Sequence, residues 1–422
     1  MARFSTPRAA VRAAVRDVVY PITGARGWPL SRLLILGDSH IDSHTSSPTA
    51  TQAGYFRSDG PVNFSRVSLN KAFDLVERSN GYSTGSALPD LDHGYPGYTA
   101  ASILTTFDGS YYPVTHALTK DFDVVLVACG GNDVSGGDDG ATAAANVIAV
   151  GNAMKAAGKP VIITGIFPRS SASGSTIRDE IDAANAALPA LCAANGLLWL
   201  PWHTAVETDG SGYATTNHVW DGVHLTPAGA QAVGAELTTF IETHFALGDV
   251  FVPPADGSGD WVTPNPYLSG GATSIPTSWS QFGSATVAYA KHTDANGDVW
   301  QEVTISGNPS YNTIRFFTFR GTGAFWTAGD VVRATCQFQA VEAGWDFKGV
   351  HLHQDVYTGA TRNAYDLLDG GMSSRPTILS PVSGTLLTAP WEIEGSATQV
   401  SYTLQVAGNG TFRFRAAGIF KV

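Results

Sequence analysis

The sequence predicts two folded domains, an α/β domain followed by an all-β domain. Over residues 31–248, short apolar runs alternate with helix-like patterns, as in parallel sheets that helices cover on both faces. Over residues 263–422, apolar residues recur with a period of two between turn sequences, which is typical of a jelly-roll-like β-sandwich. Residues 249–262 have the proline- and glycine-rich composition of a linker. With 422 residues, 43% hydrophobic and 14% charged, the chain can bury both cores.

Residues 1–30 are expected to form a separate basic segment. Residues 1–33 hold six arginines and one acidic residue, so they carry +5 in a chain whose net charge is −11. Arg8, Arg12 and Arg16 recur every four residues and would share one face of a helix. Two interpretations stay open: a surface helix that packs on the main domain, or a helix that attaches the protein to a larger assembly.

Three apolar runs mark the strands of the α/β domain. They are residues 33–36, 124–128 and 161–166, and glycines follow or lie within each run. Short runs of this kind are typical of strands that are buried on both faces of a parallel sheet.

Helical patterns occupy the stretches between these strands. Pro189 lies inside one of them and should kink that helix or end it early. Thr226 and Pro227 are typical of a helix cap and first turn. Residues 42–90 interrupt the rhythm and are predicted to form a long irregular insertion with a single helix. The predicted helices cover residues 69–76, 141–158, 175–196 and 227–245.

The last part of the chain is predicted to hold several short strands. Asn296–Gly297 and residues 408–410 supply hairpin turns. The strands are expected at residues 300–305, 314–319, 331–338, 350–353, 400–406 and 412–419. Six tryptophans lie in this region, most of them expected in the core and a minority available as a platform for sugar rings. They are Trp261, Trp279, Trp300, Trp326, Trp345 and Trp391.

Composition excludes several classes of function. The acidic balance argues against a broad nucleic-acid-binding surface, and so no nucleic-acid partner is expected. Only three cysteines occur, far apart, which fits neither a disulfide framework nor a zinc site. No stretch has the length and apolar character of a membrane span, and the basic start lacks the apolar segment of a conventional signal peptide.

Four short motifs place reactive side chains where the predicted strands and helices meet. Ser39 follows the first strand in a Gly-Asp-Ser-His sequence, and Asn132 follows the next in Gly-Gly-Asn-Asp. The carboxyl ends of parallel strands share one edge of the sheet, which is where open α/β sheets bind ligands. Asp221 lies three residues before His224, so its carboxylate can fold onto the imidazole. Between these motifs, Gly97 could present a bare backbone N–H. Each motif alone is also typical of a turn.

Together these motifs resemble the SGNH subgroup of the GDSL esterase/lipase family, over about residues 31–247. Ser39, Gly97, Asn132 and His224 stand at the four positions that give the subgroup its name. The resemblance implies a three-layer, flavodoxin-like α/β domain that uses neither a metal nor a cofactor. His40 replaces the leucine of the best-known motif of the family. Because the strand before the Gly97 loop is weakly marked, Gly94 is a rival for the Gly97 position.

The chemistry of a serine nucleophile agrees with the roles that the resemblance implies. A serine hydroxyl needs an adjacent base to take its proton, and His224, oriented by Asp221, would be that base. The oxyanion formed on attack would accept hydrogen bonds from the N–H groups of Ser39 and Gly97 and from the Asn132 amide.

A competing interpretation is a metal site. Asp38, His40, Asp42 and His44 alternate along the chain and could line one face of a strand. The serine motif already accounts for the first of these residues, and no further ligand pattern is visible, so the nucleophile is the preferred interpretation.

The function expected from the sequence is therefore a serine esterase that removes acyl groups, acetyl in the first place, from a polysaccharide or a small ester. The basic residues 1–30, the scarcity of cysteine and a C-terminal region that loosely resembles carbohydrate-binding and phage tail accessory domains suggest a virion tail or extracellular location. Alternatives are a secreted bacterial carbohydrate esterase, a lipase or thioesterase of the same family, and a glycan-adhesion protein with a degenerate hydrolase domain.

Overall fold

The structure is a computed structural model, and the described residues form two domains. The helix predicted near the start of the chain lies outside them, and of the segment 1–30 only residues 28–30 are described. The residues described are 28–42, 60–76, 93–95, 97–105, 113–206, 211–215, 218–219, 221–307, 314–321, 325–342, 346–356, 361–366, 382–388, 390–393, 395 and 397–422.

A parallel sheet lies at the centre of the first domain. Its strands are β2 (Arg32–Gly37), β3 (Asp74–Leu75), β4 (His93–Gly94), β5 (Val124–Ala128), β6 (Val161–Thr164) and β7 (Leu198–Leu200). The order across the sheet is β3-β2-β5-β6-β7, with β4 paired to the end of β2. Counted along the chain, the five main strands have the order 2-1-3-4-5 of flavodoxin-like folds. Two short strands, β1 (Trp28–Leu30) and β8 (Phe245–Leu247), pair in parallel and form a separate small sheet.

Helices cover both faces of this sheet. They are α1 (Ser39–Asp42), α2 (Pro61–Ser68), α3 (Ala100–Thr105), α4 (Pro113–Leu118), α5 (Gly131–Gly136), α6 (Gly140–Met154), α7 (Ser175–Asn195) and α8 (Pro227–His244). Val125 and Val127 of β5 pack in one hydrophobic cluster with α6 and α7, whereas Leu126 packs in another with α8. The alternation along β5 thus produces the three layers, and the predicted α/β class is confirmed.

Two of the predicted helices differ from the structure. The expected helix at residues 69–76 is wrong: α2 ends at Ser68, and Asn70 and Lys71 adopt left-handed φ angles of 52° and 56° that no helix can continue through. Pro189 does not end α7, which continues to Asn195. The buried face of α7 packs against the sheet, and this packing outweighs the hydrogen bond that the proline removes.

The second domain is a sandwich of two antiparallel sheets, as predicted. One sheet has the order β10-β11-β19-β13-β16, with β17 paired to β13, and the other has the order β15-β14-β18-β12-β9. The strands are β9 (Ser280–Phe282), β10 (Thr286–Thr293), β11 (Val299–Ser306), β12 (Ile314–Gly321), β13 (Val331–Ala340), β14 (Asp346–Val356), β15 (Thr361–Asp366), β16 (Val382–Leu387), β17 (Trp391–Glu392), β18 (Ala397–Ala407) and β19 (Gly410–Lys421).

The sandwich shares its hydrophobic core with the first domain. Phe64 and Val67 of α2 lie in the same buried cluster as the sandwich interior. A Cβ on Gly384 of β16 would lie 2.2 Å from the Val67 carbonyl oxygen, so the two backbones can approach this closely only because residue 384 is glycine. Thr385 Oγ1 donates to Asn70 Oδ1 at 3.0 Å across the same contact.

The predicted sugar platform gains no support from the tryptophans whose side chains are described. Trp261, Trp279, Trp300 and Trp326 are all buried. The side chains of Trp345 and Trp391 lie outside the described part of the structure. Within that part, no helix is both long enough and apolar enough to cross a membrane.

Candidate active site

The structure brings Ser39, His224 and Asp221 together in one chain of contacts. His224 Nε2 lies 2.9 Å from Ser39 Oγ, and His224 Nδ1 lies 2.6 Å from Asp221 Oδ2. The side chains of the acid and the base are each about one third exposed, at 30% and 29%. Ser39 opens α1 directly after β2, whereas His224 precedes α8, so the nucleophile and the base come from opposite ends of the domain sequence.

The loop that carries Asp221 and His224 is held by its own backbone. Asp221 Oδ1 accepts hydrogen bonds from the N–H groups of Val223 and His224, at 2.9 and 2.7 Å. Partial burial acts to raise the pKa of Asp221, but these bonds and the His224 ring outweigh it and hold the pKa below its ordinary value. The carboxylate therefore stays ionised and fixes Nδ1 as the protonated nitrogen, which leaves Nε2 as the acceptor for the serine proton.

The structure separates the two glycines proposed for the oxyanion site. Gly94 is buried within β4, beside the end of β2. Gly97 is exposed in a turn that the Tyr98 N–H closes on the Tyr95 carbonyl at 3.1 Å, and its φ is 78°. Glycine adopts this angle without steric cost. Gly97 is therefore the glycine whose backbone an incoming ligand can reach.

Asn132 lies in the first turn of α5, at the carboxyl end of β5. Its Nδ2 donates to the Tyr98 carbonyl oxygen at 3.0 Å, which ties the amide to the Gly97 turn. An amide nitrogen carries two hydrogens, so one remains for a ligand. Gly130 makes this tight turn possible: its φ is 107°, and a Cβ there would lie 2.8 Å from Ile166 Cδ1 and Val147 Cγ2.

Asp133, the residue after Asn132, holds the same turn through two hydrogen bonds of its carboxylate. Its Oδ2 accepts from the Ala100 N–H at 2.7 Å, and its Oδ1 accepts from Asn146 Nδ2 at 3.0 Å. The carboxylate thus joins α3, α5 and α6 behind the candidate oxyanion site.

Asp38 is buried immediately before the nucleophile. Its Oδ1 accepts the His40 N–H at 3.0 Å. Burial raises the pKa of Asp38 from 3.8 to about 6, although that hydrogen bond and the positive charges of His224 and Arg169 oppose the rise.

Arg169 is the main residue at the site that the motifs did not indicate. Its Nη2 donates to the Gly131 carbonyl at 3.0 Å, next to Asn132. Burial lowers the pKa of Arg169, and the carboxylates of Asp38 and Asp221 oppose that change, so the guanidinium lies in the field of both. One signal was available: Arg169 follows β6, and loops after the carboxyl ends of strands line the ligand edge of such sheets.

The segment that carries Arg169 also holds the base loop. The Ser170 N–H donates to the Gly222 carbonyl, between Asp221 and His224, at 2.9 Å. The loop after β6 therefore braces the oxyanion turn through Arg169 and the base loop through Ser170.

Aromatic rings pack around His40, the residue that follows the nucleophile. The His40 ring lies 5.1 Å from Phe167 and 5.3 Å from His224, centroid to centroid, and Phe167 stacks on Trp202 at 5.0 Å. The adjoining cavity, which His40, Phe167 and Arg169 help to line, measures about 10 Å³.

The described residues do not support the alternative of a metal site. Among the residues it describes, no group of three or more His, Cys, Asp or Glu side chains could hold a metal ion. The side chain of Asp42 and all of His44 lie outside those residues.

A strand-end serine that contacts a histidine, which in turn contacts an aspartate, on a flavodoxin-like sheet defines the class as a serine hydrolase of the α/β type. Residues 35–232 match the GDSL-like lipase/acylhydrolase family. This part of the chain is therefore a GDSL-like lipase/acylhydrolase domain, an esterase domain of the SGNH type. No curated protein matches the chain.

Several solved structures are similar to the first domain. A carbohydrate esterase of family 3 from Talaromyces cellulolyticus is 22% identical, with a TM-score of 0.37 over 50% of this chain and 97% of its own. A lipolytic G-D-S-L family protein from Veillonella parvula is 14% identical, with a TM-score of 0.36 over 50% of this chain and 98% of its own. An acetyl-xylooligosaccharide esterase from Geobacillus is 16% identical, with a TM-score of 0.38 over 55% of this chain and 99% of its own.

Proposed function

We propose that this protein is a serine esterase that removes short acyl groups, acetyl in the first place, from a polysaccharide. The contact chain from Asp221 through His224 to Ser39 carries the proposal. It aligns an acid, a base and a nucleophile within hydrogen-bond distance, which is the geometry that activates a serine hydroxyl.

The first half of the reaction forms an acyl-enzyme. Ser39 Oγ attacks the acyl carbon of the ester while His224 Nε2 takes its proton. The carbonyl oxygen becomes an oxyanion, to which the N–H groups of Ser39 and Gly97 and the Asn132 amide would donate. His224 then gives its proton to the leaving alcohol oxygen as the ester C–O bond breaks. One such oxyanion donor contributes about 10²–10³ in kcat in comparable enzymes.

The second half returns the enzyme to its starting state. A water molecule gives a proton to His224 Nε2 as its oxygen attacks the acyl carbon. The tetrahedral intermediate collapses, the bond to Ser39 Oγ breaks and the proton returns to that oxygen. The carboxylic acid leaves, and no group outside the chain is consumed except water.

The cavity behind the nucleophile is small. The cavity beside Asp38 and His40 measures about 10 Å³, whereas pockets that enclose drug-sized ligands start at about 300 Å³. The stacked pair of Phe167 and Trp202 closes this side of the site. Neither Ser39 nor His224 lines this cavity, so the ester series that tests the proposal decides the length of the acyl group.

Hydrolysis of p-nitrophenyl acetate, butyrate and octanoate by the wild type and by Ser39→Ala tests the proposal. We expect fastest turnover of the acetate ester, and a loss of at least about 10³-fold in the variant. Ser280→Ala, at an exposed position on β9, is the matched control and should keep full activity. Preference for octanoate would favour a lipase, and failure of wild type to release acetate from any ester or acetylated polysaccharide would favour an adhesion protein.

The location is a second part of the proposal. We infer a virion tail or extracellular site of action from the basic residues 1–30 and the scarcity of cysteine. Mass spectrometry of purified virions and of culture medium from the source tests this, and absence of the protein from both would contradict it.

A further inference from the structure

A second cavity lies between the two domains. It measures about 400 Å³, and none of the three residues Ser39, Asp221 and His224 lines it. Its walls come from α2 and α8 of the esterase domain and from β13, β16 and β19 of the sandwich. We call it the interdomain cavity; the lining residues used below are His218, Gln339, Val341, Ser383 and Arg413.

His218 gives this cavity a hydrogen-bond acceptor. The residue is buried, with 7% of its surface exposed. Its Nδ1 lies 3.0 Å from the Val206 carbonyl oxygen, and since a carbonyl can only accept, Nδ1 carries the proton. Nε2 is then the ring nitrogen that can accept a hydrogen bond, and no described residue donates to it. A ligand hydroxyl group that reaches Nε2 from the cavity could donate a hydrogen bond to it.

The sandwich wall supplies donors. Gln339 Oε1 accepts from Arg413 Nη1 at 3.4 Å, which leaves the Gln339 NH₂ group without a partner among the described residues. Arg413 Nε donates to Glu302 Oε2 at 2.7 Å, so its charge is already balanced. The hydroxyl of Ser383, also on this wall, is exposed.

These groups define the chemistry of the ligand. It must donate to the His218 acceptor, accept from the amide of Gln339, and carry no net charge, because the Arg413–Glu302 pair is neutral. Hydroxyl groups do both, and the apolar side chain of Val341 offers contact to C–H groups. The volume of about 400 Å³ lies within the range of ligand pockets.

We propose that the interdomain cavity is a second, noncatalytic site that binds a neutral sugar unit of the polysaccharide. This inference deepens and rests on the proposed function, since it assumes that the substrate is a glycan. It also assigns a role to the sandwich, which would hold the chain against the esterase domain through β13, β16 and β19.

A glycan array tests the proposal with the full-length Ser39→Ala protein, which cannot cleave what it binds. The array carries neutral and acidic polysaccharides and their oligosaccharides. We expect retention of neutral glycans, and at least tenfold weaker retention by Ser39→Ala with Ser383→Trp, whose indole would fill the cavity. Thr286→Trp, at the opposite, exposed edge of the same sheet, is the matched control and should bind like Ser39→Ala alone.

Nitrogen-15 NMR of the same protein gives a readout at the proposed contact. Addition of the best-bound oligosaccharide should shift the His218 Nε2 resonance, because a new hydrogen bond reaches that atom. Retention of no glycan, retention unaffected by Ser383→Trp, or an unmoved Nε2 resonance would each overturn the proposal. If wild type hydrolyses esters but no glycan is retained, the esterase proposal stands and the cavity proposal fails. If glycans are retained through His218 but no ester is hydrolysed, the cavity binds glycans and the esterase proposal fails.

Discussion

The Asp38 carboxyl lies one residue before the nucleophile and is almost fully buried. Its pKa is about 6 in the folded protein and 3.8 in the unfolded chain. Between these two pH values, the folded state therefore holds a proton that the unfolded state has lost. The free energy of unfolding therefore falls as pH rises from about 4 to 6, and the loss is complete above that window.

We predict that Asp38→Asn removes this pH dependence. The amide keeps an oxygen for the His40 N–H and carries no charge, so the variant should be more stable than wild type at pH 7, by up to about 3 kcal/mol. Denaturant unfolding at pH 4 to 7 measures the difference. Asp139→Asn is the control, because the pH dependence of stability at Asp139 has the opposite sign. The hydrogen bond from the Thr142 amide lowers the pKa of Asp139. The ionised Asp139 therefore stabilises the folded protein above its ordinary pKa, and this contribution is lost as pH falls. A difference between wild type and Asp38→Asn that does not change with pH would contradict the prediction.

Arg169 is predicted to position the oxyanion turn. Arg169→Met removes the bond to the Gly131 carbonyl and the positive charge beside Asp38, so we expect kcat to fall about 10-fold or more with little change in KM. The pKa of Asp38 should rise further, measured by carbon-13 NMR of its carboxyl carbon, because the Arg169 charge now lowers it.

Arg169→Lys and Arg315→Met separate positioning from a general loss of stability. The lysine keeps the charge and should leave the Asp38 titration near that of wild type. Arg315 is exposed on β12, and its replacement should change neither kcat nor the titration. An unchanged Asp38 titration in Arg169→Met would show that the arginine does not act on the site electrostatically.

At the scale of elements, the turn from β5 into α5 depends on Gly130. Gly130→Ala introduces a Cβ that meets Ile166 and Val147 at 2.8 Å, on a backbone whose φ is 107°. We predict a loss of stability of about 2–4 kcal/mol, from strain and overpacking together, and lower activity because Asn132 follows in the same turn. Gly136→Ala meets no atom within 4 Å and should melt within a degree or two of wild type. Equal melting temperatures for the two variants would contradict the prediction.

The strand that the sequence predicted most fully is buried along its whole length. β5 was predicted residue for residue, because each of its side chains is apolar. β10 was missed, since its residues are only partly buried and the alternation of Thr286–Thr293 is weak. α2 was misplaced because its helical segment includes polar residues, such as Asn63 and Arg66, that long-range contacts bury.

The candidate site divides in the same way. Ser39, Asp221 and His224 belong to short motifs that can be seen in the sequence, and the resemblance of the whole set to the SGNH subgroup predicts the chemistry. Arg169 bonds to a carbonyl 38 residues away, and Asn146 to a carboxylate 13 residues away, so neither contact leaves a local pattern in the sequence.

At the scale of the whole molecule, one hydrophobic cluster spans both domains. Phe64 of α2 is a buried member of it, and we predict that Phe64→Ala costs about 3–5 kcal/mol. Because the core is shared, calorimetry should show one unfolding transition that shifts as a whole. Phe282→Ala, at a side chain that is 67% exposed, should change stability by about 0.5 kcal/mol or less. Two separate transitions, with only one of them shifted, would contradict a shared core.

The close approach of Gly384 to the Val67 carbonyl has a consequence for engineering. Accessory regions of enzymes are often exchanged as independent cassettes, but a gene fragment that stopped at residue 248 would leave Phe64 and Val67 facing water. Such a fragment would be prone to self-association through that apolar surface. A chimera that redirects this catalyst to another material must therefore redesign the outer face of α2 together with the domain that it receives.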